Sequence, residues 1–558
     1  VPKIALPKSF GLYTHGDGTR RSYPPSLPGL TMNLAVQEAS DRLLAAATTG
    51  APPSLDGWTD LDALINSPAY ASSRIVYVST SGNDGTGQIY SPTSPALGGV
   101  PTNPTGTVAP YATLAAAWAQ IRTGQADVML MRRGDTWSAN LALNKLGASL
   151  SARIIVAAYG SIATARPQVG EVFPTSNSST GNLLLAHYRI NFSGGGDRLN
   201  AGTGVRYEGI HFEGVGDPST VFAYANVGRL DVVRCTHRRC RLFTFDEIGR
   251  GNMTFIDNVM WHPVDYVGAG GFEHNNYFQF TVGDIDSRRN ISVHSPGVGF
   301  RQRGLGTVEA NLILGNNTAR GPLSVFDIGT NTYYGTGDPG NRGTFLNFRY
   351  NLALHYPGRH SFYDIRNAVI EHNILRGEGQ HLTYFENTAN PGNPPPLVNA
   401  TLQDNIFYGA YLIQSEGHSG SVTGPYLIRR NDFQRPAGGA LINAQSNDFT
   451  YESNNRFWSS SPQADWFTGY TNSYAAYVPS RGSNTQVTYP DPDRDLVTYM
   501  QSLGYSPASA EQAIDWFTNG TFGFAGAINN RLGLWDERAT ARAVINHVRA
   551  GFGLGAIP

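Results

Sequence analysis

A set of short apolar segments, each ending near a polar residue, carries the groups most able to do chemistry. They are Leu242–Asp246, Tyr277–Thr281, Val298–Arg301, Ser324–Asp327, Ser361–Asp364, Leu382–Glu386 and Leu412–Ser415. Aligned on their aromatic residues, they place Asp246, Thr281, Arg301, Asp327, Asp364 and Glu386 in one column, with Arg303 and Arg366 two positions further on. In a strand, residues i and i+2 share a face, so both sets are expected on one surface. Like charges about 5 Å apart raise one another's pKa or recruit a cation. Stacked Asp327, Asp364 and Glu386 therefore point to acid/base work or to a Ca²⁺ site. The run His294-Ser295-Pro296-Gly297-Val298-Gly299-Phe300-Arg301-Gln302-Arg303-Gly304 adds a candidate base, His294, and a carboxylate clamp in Arg301 or Arg303. His360 and His381 precede the Asp364 and Glu386 segments, and with Asp246, Arg366 and Glu386 they are expected to contact a ligand.

These residues need a scaffold that repeats. From about residue 187 a short strand, an Asn and two or three apolar residues recur, as in Phe255–Met260, Val308–Ile313, Phe348–Leu352, Ile370–Ile374, Leu402–Ile406, Ile428–Phe433 and Tyr451–Asn455. Asn351 and Asn373 are 22 apart, Asn431 and Asn455 are 24 apart, and longer gaps imply inserted loops. A solenoid of stacked coils explains the period. Asn at a fixed bend tolerates the left-handed conformation and bonds its counterpart one coil away. Cys235 is expected at the same place one coil earlier, buried rather than bridged to Cys240. No Leu-x-x-Leu-x-Leu frame and no propeller blade of steady length is present.

The flanking segments differ. Residues 1–72 are Pro-rich with one helical stretch at Asn33–Ala47, and read as a leader packing on the solenoid. Arg74–Val78 is a strand, Pro110–Ile121 a helix ending at Gly124, Asp127–Met131 and Ile154–Gly160 buried strands. The helix is expected to cover the open end, where a core and strand edges would otherwise meet water. Residues 73–490 are assigned to the solenoid and 491–558 to a helical C-terminal cap. Its helices, at Asp495–Leu503, Ala510–Phe517 and Glu537–Arg549, are expected to close the second end or to pack along the side.

The order of a Tyr77-Val78-Ser79 strand, a capping helix, a Gly134-Asp135-Thr136-Trp137 segment and an Ile155-Val156-Ala157-Ala158-Tyr159-Gly160 strand resembles the start of secreted bacterial pectate-lyase-like parallel β-helix proteins. The ending Leu534-Trp535-Asp536-Glu537-Arg538 resembles their tails. The resemblance implies an all-β, right-handed parallel β-helix acting on an extracellular or periplasmic polysaccharide. It implies most directly a lyase that eliminates beside a uronic acid, with His294, Arg301 and Arg303 as chemical groups and Asp327, Asp364 and Glu386 holding a metal or the sugar. A glycoside hydrolase of polygalacturonase or tailspike type would instead use Asp327 and Asp364 as paired carboxylates. An epimerase would use the lyase's residues, and a binding solenoid would use loop aromatics such as Trp261, Tyr333, Tyr334 and Trp466.

Composition agrees. Charged residues are 15% of the 558 and Gly numbers 64, as suits a turn-rich β protein. The net charge of -1, without a basic run, removes the footprint of a nucleic-acid binder. It leaves room for one cationic groove and an anionic polysaccharide partner. No apolar stretch is long enough to span a membrane. The start at Val1 is read as the loss of an upstream segment. No Walker loop, dinucleotide fingerprint, zinc spacing or EF-hand loop is present.

Overall fold

The computed structural model describes residues 59–192 apart from 163 and 175–179, the strands and bends of each coil from 204 to 469, and residues 482–518 and 537–557. Ahead of residue 59 it describes only the backbone of an antiparallel pair, Gly11–Thr14 with Arg20–Tyr23. The expected helix at 33–47 lies outside the described residues. By its contacts the chain divides into a unit ending at Asp60 and a unit of Leu61–Ile557.

The second unit is a parallel β-helix. From about residue 205 each coil gives one strand to each of three sheets in turn, and the described sheets hold 15, 13 and 10 strands. One coil runs Ile285–Arg288, Ile291–Val293 and Phe300–Arg303; the next runs Gly306–Glu309, Leu312–Leu314 and Ser324–Gly329. Pairing is parallel throughout these sheets, except where Ile75–Val78 meets Ile89–Tyr90 at the N-terminal edge. Aromatic residues fill the interior from coil to coil: Phe255 and Phe278 stack at 4.2 Å between centroids, and Phe300, Phe326 and Phe348 follow at 6.0 and 5.2 Å.

The recurring Asn does what its position demands, by a different backbone route from the one expected. Asn258, Asn290, Asn311, Asn351, Asn373, Asn405, Asn431 and Asn455 are all buried at the bend from the first sheet to the second. From Asn290 onward each Oδ1 accepts from the side-chain amide and the backbone N–H of the Asn one coil earlier, as in Asn311 Nδ2 to Asn351 Oδ1 at 3.1 Å and Asn311 N to Asn351 Oδ1 at 3.0 Å. The left-handed residue is the one before the Asn: Asp257, Arg289, Ala310, Tyr350, His372, Asp404 and Arg430 have φ of 54–59°. That conformation costs an L-residue roughly 1–2 kcal/mol. It turns the Asn side chain inward, where it satisfies bend amides no strand can reach. Cys235 heads the ladder as expected, buried and free, its N–H bonded to Asn258 Oδ1 at 2.9 Å.

The N-terminal end is covered by the expected helix, shortened to Leu114–Gln120. Thr113 caps its start by accepting from Ala116 N–H, and Leu114, Ala117 and Trp118 are buried with Val76, Val78 and Met129. Lys145 caps its other end, donating to Trp118 O at 2.6 Å and to Ile121 O, with the ammonium 5.2 Å from the Trp118 ring. A cation on the last carbonyls opposes the negative end of the helix dipole. Lys145→Met is expected to lower the unfolding free energy by about 2 kcal/mol, read as a shifted denaturant midpoint. Leu61, Leu64, Ile65 and Tyr70, placed by sequence in the leader, pack in one cluster with Ile75, Tyr77 and Leu130.

The C-terminal helices, Leu496–Ser502, Ala510–Thr518 and Ala541–Gly551, take the second of the two placements expected for them. They lie along the flank, over the second sheet. Met500, Ile514, Phe517, Val544, Ile545 and Val548 pack on Ile291, Val293, Leu312, Leu314, Leu352, Leu354, Ile374 and Ile406. Strand residues on both sides of Ile313 and Ala353 are apolar, so these strands are buried on both faces, as their unbroken apolar sequences require.

Candidate functional site

The third sheet carries most residues singled out by sequence, and its register redistributes them. Arg301 is half-buried between buried Phe300 and Gln302, which marks its column as the outward one. Tyr277, Arg301, Asp327, Ser361, Tyr384, Ile413 and Asn443 follow one another in that column. Two positions on stand Gln279, Arg303, Gly329, Tyr363 and Glu386. The side chains of Asp327, Arg303 and Glu386 lie outside the described residues, as do Asp246, Asp364, Arg366 and His381 altogether.

Arg301 and Asp327 are thus register partners, as expected, and Arg303 lies two residues along. The six-residue column does not form. Glu386 belongs to the column of Arg303, and Asp364 and Asp246 each follow a residue of that column, Tyr363 and Phe245. Aligning on aromatics failed for a physical reason. The aromatics fill two inward columns, Phe300 and Phe326 in one, Phe278 and Phe362 in the other, and Tyr363 is in neither. A bulge between Ser324 and Phe326 shifts the pairing further.

The side chains of the expected calcium ligands, Asp327, Asp364 and Glu386, lie outside the described residues. Asp327 and Glu386 stand in different columns, and among the described residues no three His, Cys, Asp or Glu side chains converge as metal ligands.

The two described histidines of this set serve the scaffold. His294 ends the strand Ile291–Val293 at φ 50°. Its Nδ1 lies 2.6 Å from Gly315 O and its Nε2 3.1 Å from Glu511 Oε1, so it joins the coil bend to the helix Ala510–Thr518. A side chain at Gly315, itself at φ +54°, would meet Ile514 Cδ1 at 2.6 Å and the His294 ring at 2.9 Å. Both imidazole nitrogens are engaged there, and His294 does not stand as a base beside Arg301. His360 is buried in the inward column after Phe326, its ring stacked on that phenyl at 5.8 Å and 20°.

A second polar constellation, which the sequence reading missed, lies on the outer face of the second sheet. His211, Thr236 and Val259 are successive register partners, as are Asn191, Glu213, Arg238 and Trp261. His211 Nδ1 is 2.7 Å from Thr236 Oγ1 and Nε2 is 3.0 Å from Glu213 Oε2. Arg189 and Arg238 approach the same carboxylate at 3.3 and 3.7 Å from opposite sides, and Arg238 lies 5.2 Å from the Trp261 ring centroid. Burial holds the His211 imidazole down to about 4, offset in part by its bond to Glu213 and reinforced by Arg166 and Arg189. Burial raises Glu213, but His211, Arg238 and Arg189 outweigh it and leave the carboxyl below its ordinary value. The signal was the alternation polar–apolar–polar in His211-Phe212-Glu213 and the wholly polar Thr236-His237-Arg238, where later strands such as Leu312–Leu314 and Leu352–Leu354 are apolar throughout.

No family model matches the chain, and no curated protein matches its sequence. Among solved structures it is similar to a PL6-family alginate lyase at 11% identity and a TM-score of 0.42, over 72% of this chain and 55% of that one. The chain thus spans about half the length of that lyase. A rhamnogalacturonan lyase matches at 12% identity and a TM-score of 0.28, over 77% of this chain and 92% of that one.

Proposed function

We propose that the chain is a polysaccharide lyase that cleaves beside a uronic acid on the outer face of the third sheet. The observation that carries the reading is the register pairing of Arg301 with Asp327 in the outward column, with Arg303 two residues along the same strand. β-Elimination needs a cation on the uronate carboxylate, a base for the C5 proton and an acid for the leaving oxygen. Arg301 meets the carboxylate, and Asp327 orients its guanidinium from the next coil. Arg303 adds a second positive charge along the strand. Tyr277, the register partner of Arg301 on the other side, is proposed to accept the C5 proton on its phenolic oxygen. It returns that proton to the departing oxygen as the C4–O bond breaks and the C4=C5 double bond forms. The substrate is an anionic polysaccharide met outside the cell.

The test is ultraviolet absorbance of the unsaturated product during incubation with alginate, polygalacturonate and chondroitin, with and without chelator. A rise indifferent to chelator, and lowered about 100-fold or more by Arg301→Ala, is the expected result. A rise abolished by chelator would return the chemistry to a metal. New reducing ends without absorbance would make the chain a hydrolase and sink the lyase reading.

A further inference from the structure

Most inward positions of the solenoid are apolar, and the coil that carries Arg301 breaks this pattern on all three sheets. It turns Ser287 inward from the first sheet, Ser292 from the second and Gln302 from the third. Their register partners in the coils on either side are Phe255 and Val308, Met260 and Ile313, and Phe278 and Ile328. Burying a polar group costs free energy unless it is fully bonded, and Gln302 Nε2 has no acceptor among the described residues. Stability alone would favour apolar side chains of the same volume at these positions.

The polar groups are joined to one another and to the approach of the Arg301 strand. Ser287 Oγ donates across the core to Gln302 Oε1 at 3.2 Å. Ser292 Oγ donates to Gly299 O at 2.8 Å and Ser295 Oγ to Val298 O at 2.7 Å, so the two carbonyls ahead of Phe300 are held from within. Asn275, two residues ahead of Tyr277 on the previous coil, meets both serines. Its Nδ2 donates to Ser292 Oγ at 3.0 Å and to Val293 O at 2.9 Å, and its backbone N–H donates to Ser295 Oγ at 3.2 Å. All five side chains are at most 1% exposed.

We propose that Asn275, Ser287, Ser292, Ser295 and Gln302 are positioning residues that fix the strand of Tyr277 against the strand of Arg301, a role that rests on the lyase reading above and supplies the geometry it needs. Apolar packing is non-directional, whereas these bonds hold only over a narrow range of length and angle. They tie the Arg301 strand at its entry, through residues 298 and 299, and at its middle, through the inward residue between Arg301 and Arg303. A displacement of about 1 Å between a base and the group that holds the substrate costs rate steeply.

The test compares wild type with Gln302→Met, which keeps the volume and removes the tie to Ser287, on whichever of alginate, polygalacturonate and chondroitin the wild type cleaves. The value of kcat should fall about tenfold with KM within about twofold, while the denaturant midpoint stays at or above that of wild type. Ser287→Ala should lower kcat equally, and the double variant Ser287→Ala/Gln302→Met no further, as for two groups acting through one bond. Where Ser287→Ala does not fold, the double variant leaves neither partner stranded and carries the measurement. Amide hydrogen exchange over residues 275–279 and 298–303 reads the positioning without any substrate, and should quicken there and not elsewhere. Unchanged kcat in a folded Gln302→Met would overturn the proposal and leave the lyase reading standing. A fall in kcat matched by a fall in the midpoint would reduce the network to a structural role and overturn it too. A wild type that gives no absorbance on any polymer would remove the lyase reading, and exchange would then decide: quickened exchange keeps the network as the fixture of the two strands, and unchanged exchange overturns it.

Discussion

Lowering the pH from 7 to 4.5 will strip several kcal/mol from the coils between residues 187 and 238, and His237→Phe will return much of it. His211 and His237 are both buried, and burial pushes their imidazoles from 6.5 down to about 4 and about 3. His187, which keeps part of its surface in water, is shifted the same way, to about 4. In the folded chain these rings are neutral, whereas in the unfolded chain they take up protons near pH 6.5. Stability is therefore fully present above pH 6.5 and falls as the pH drops toward 4, with a slope set by the extra protons of the unfolded state. Each buried ring contributes on the order of 3 kcal/mol across that window. His237 carries a separate penalty. Its ring stacks on Phe212 at 4.8 Å and 15°, and neither nitrogen has a hydrogen-bond partner among the described residues. A phenyl group of similar shape removes the polar atoms and keeps the stack. Denaturant midpoints at pH 7 and 4.5 for wild type and His237→Phe check this. A wild type equally stable at both values, or a variant with undiminished acid dependence, would contradict it.

Asn373→Ala will cost about 4 kcal/mol or more, more than removing three side-chain atoms from a surface turn could. Asn373 Nδ2 donates to Asn405 Oδ1 at 2.9 Å, to Phe348 O at 3.0 Å and to Glu371 O at 3.0 Å. Its Oδ1 accepts from Asn351 N at 2.9 Å and from Asn351 Nδ2 at 3.3 Å. Truncation strands buried groups on both sides, each at roughly 1–3 kcal/mol. Asn373→Asp restores the acceptor but not the donor, and it buries a charge, so it should be no better. Cys235→Ser, at the head of the ladder where the side chain bonds only Val233 O, should cost far less. The comparison of midpoints separates a ladder effect from a general loss of bulk at the bend.

The fold was legible because a solenoid repeats its constraints. Asn recurs at the bend since each coil has the same unsatisfied amides to answer, and Cys235 could be placed by analogy with it. The left-handed position was not legible, because Asp257, Ala310, Tyr350 and His372 share nothing except φ. The placement of the C-terminal helices could have been settled in advance. The second-sheet strands change from His211-Phe212-Glu213 to Leu312-Ile313-Leu314, and only a strand covered on both faces can be apolar at every position. Site residues fared less well. The pairing of Arg301 with Asp327 was legible because strand alternation fixes faces, but Glu386 needed an absolute register, which aromatics in two inward columns do not supply. The Glu213 constellation was overlooked because its members come from four coils and become neighbours only after stacking.

The helical layer also acts as a ruler. It spans the second-sheet strands from Val259 to Ile406, with each apolar side chain matched to a coil at a fixed height. A whole coil inserted or deleted below residue 259 changes only the length of the solenoid, since every coil meets its neighbours through the same pairings. The same change between residues 291 and 406 would slide half of the helical contacts by one strand spacing, about 4.8 Å. Length variation in a chain of this design is therefore confined to the coils outside the ruler, and the coils beneath it behave as a fixed block.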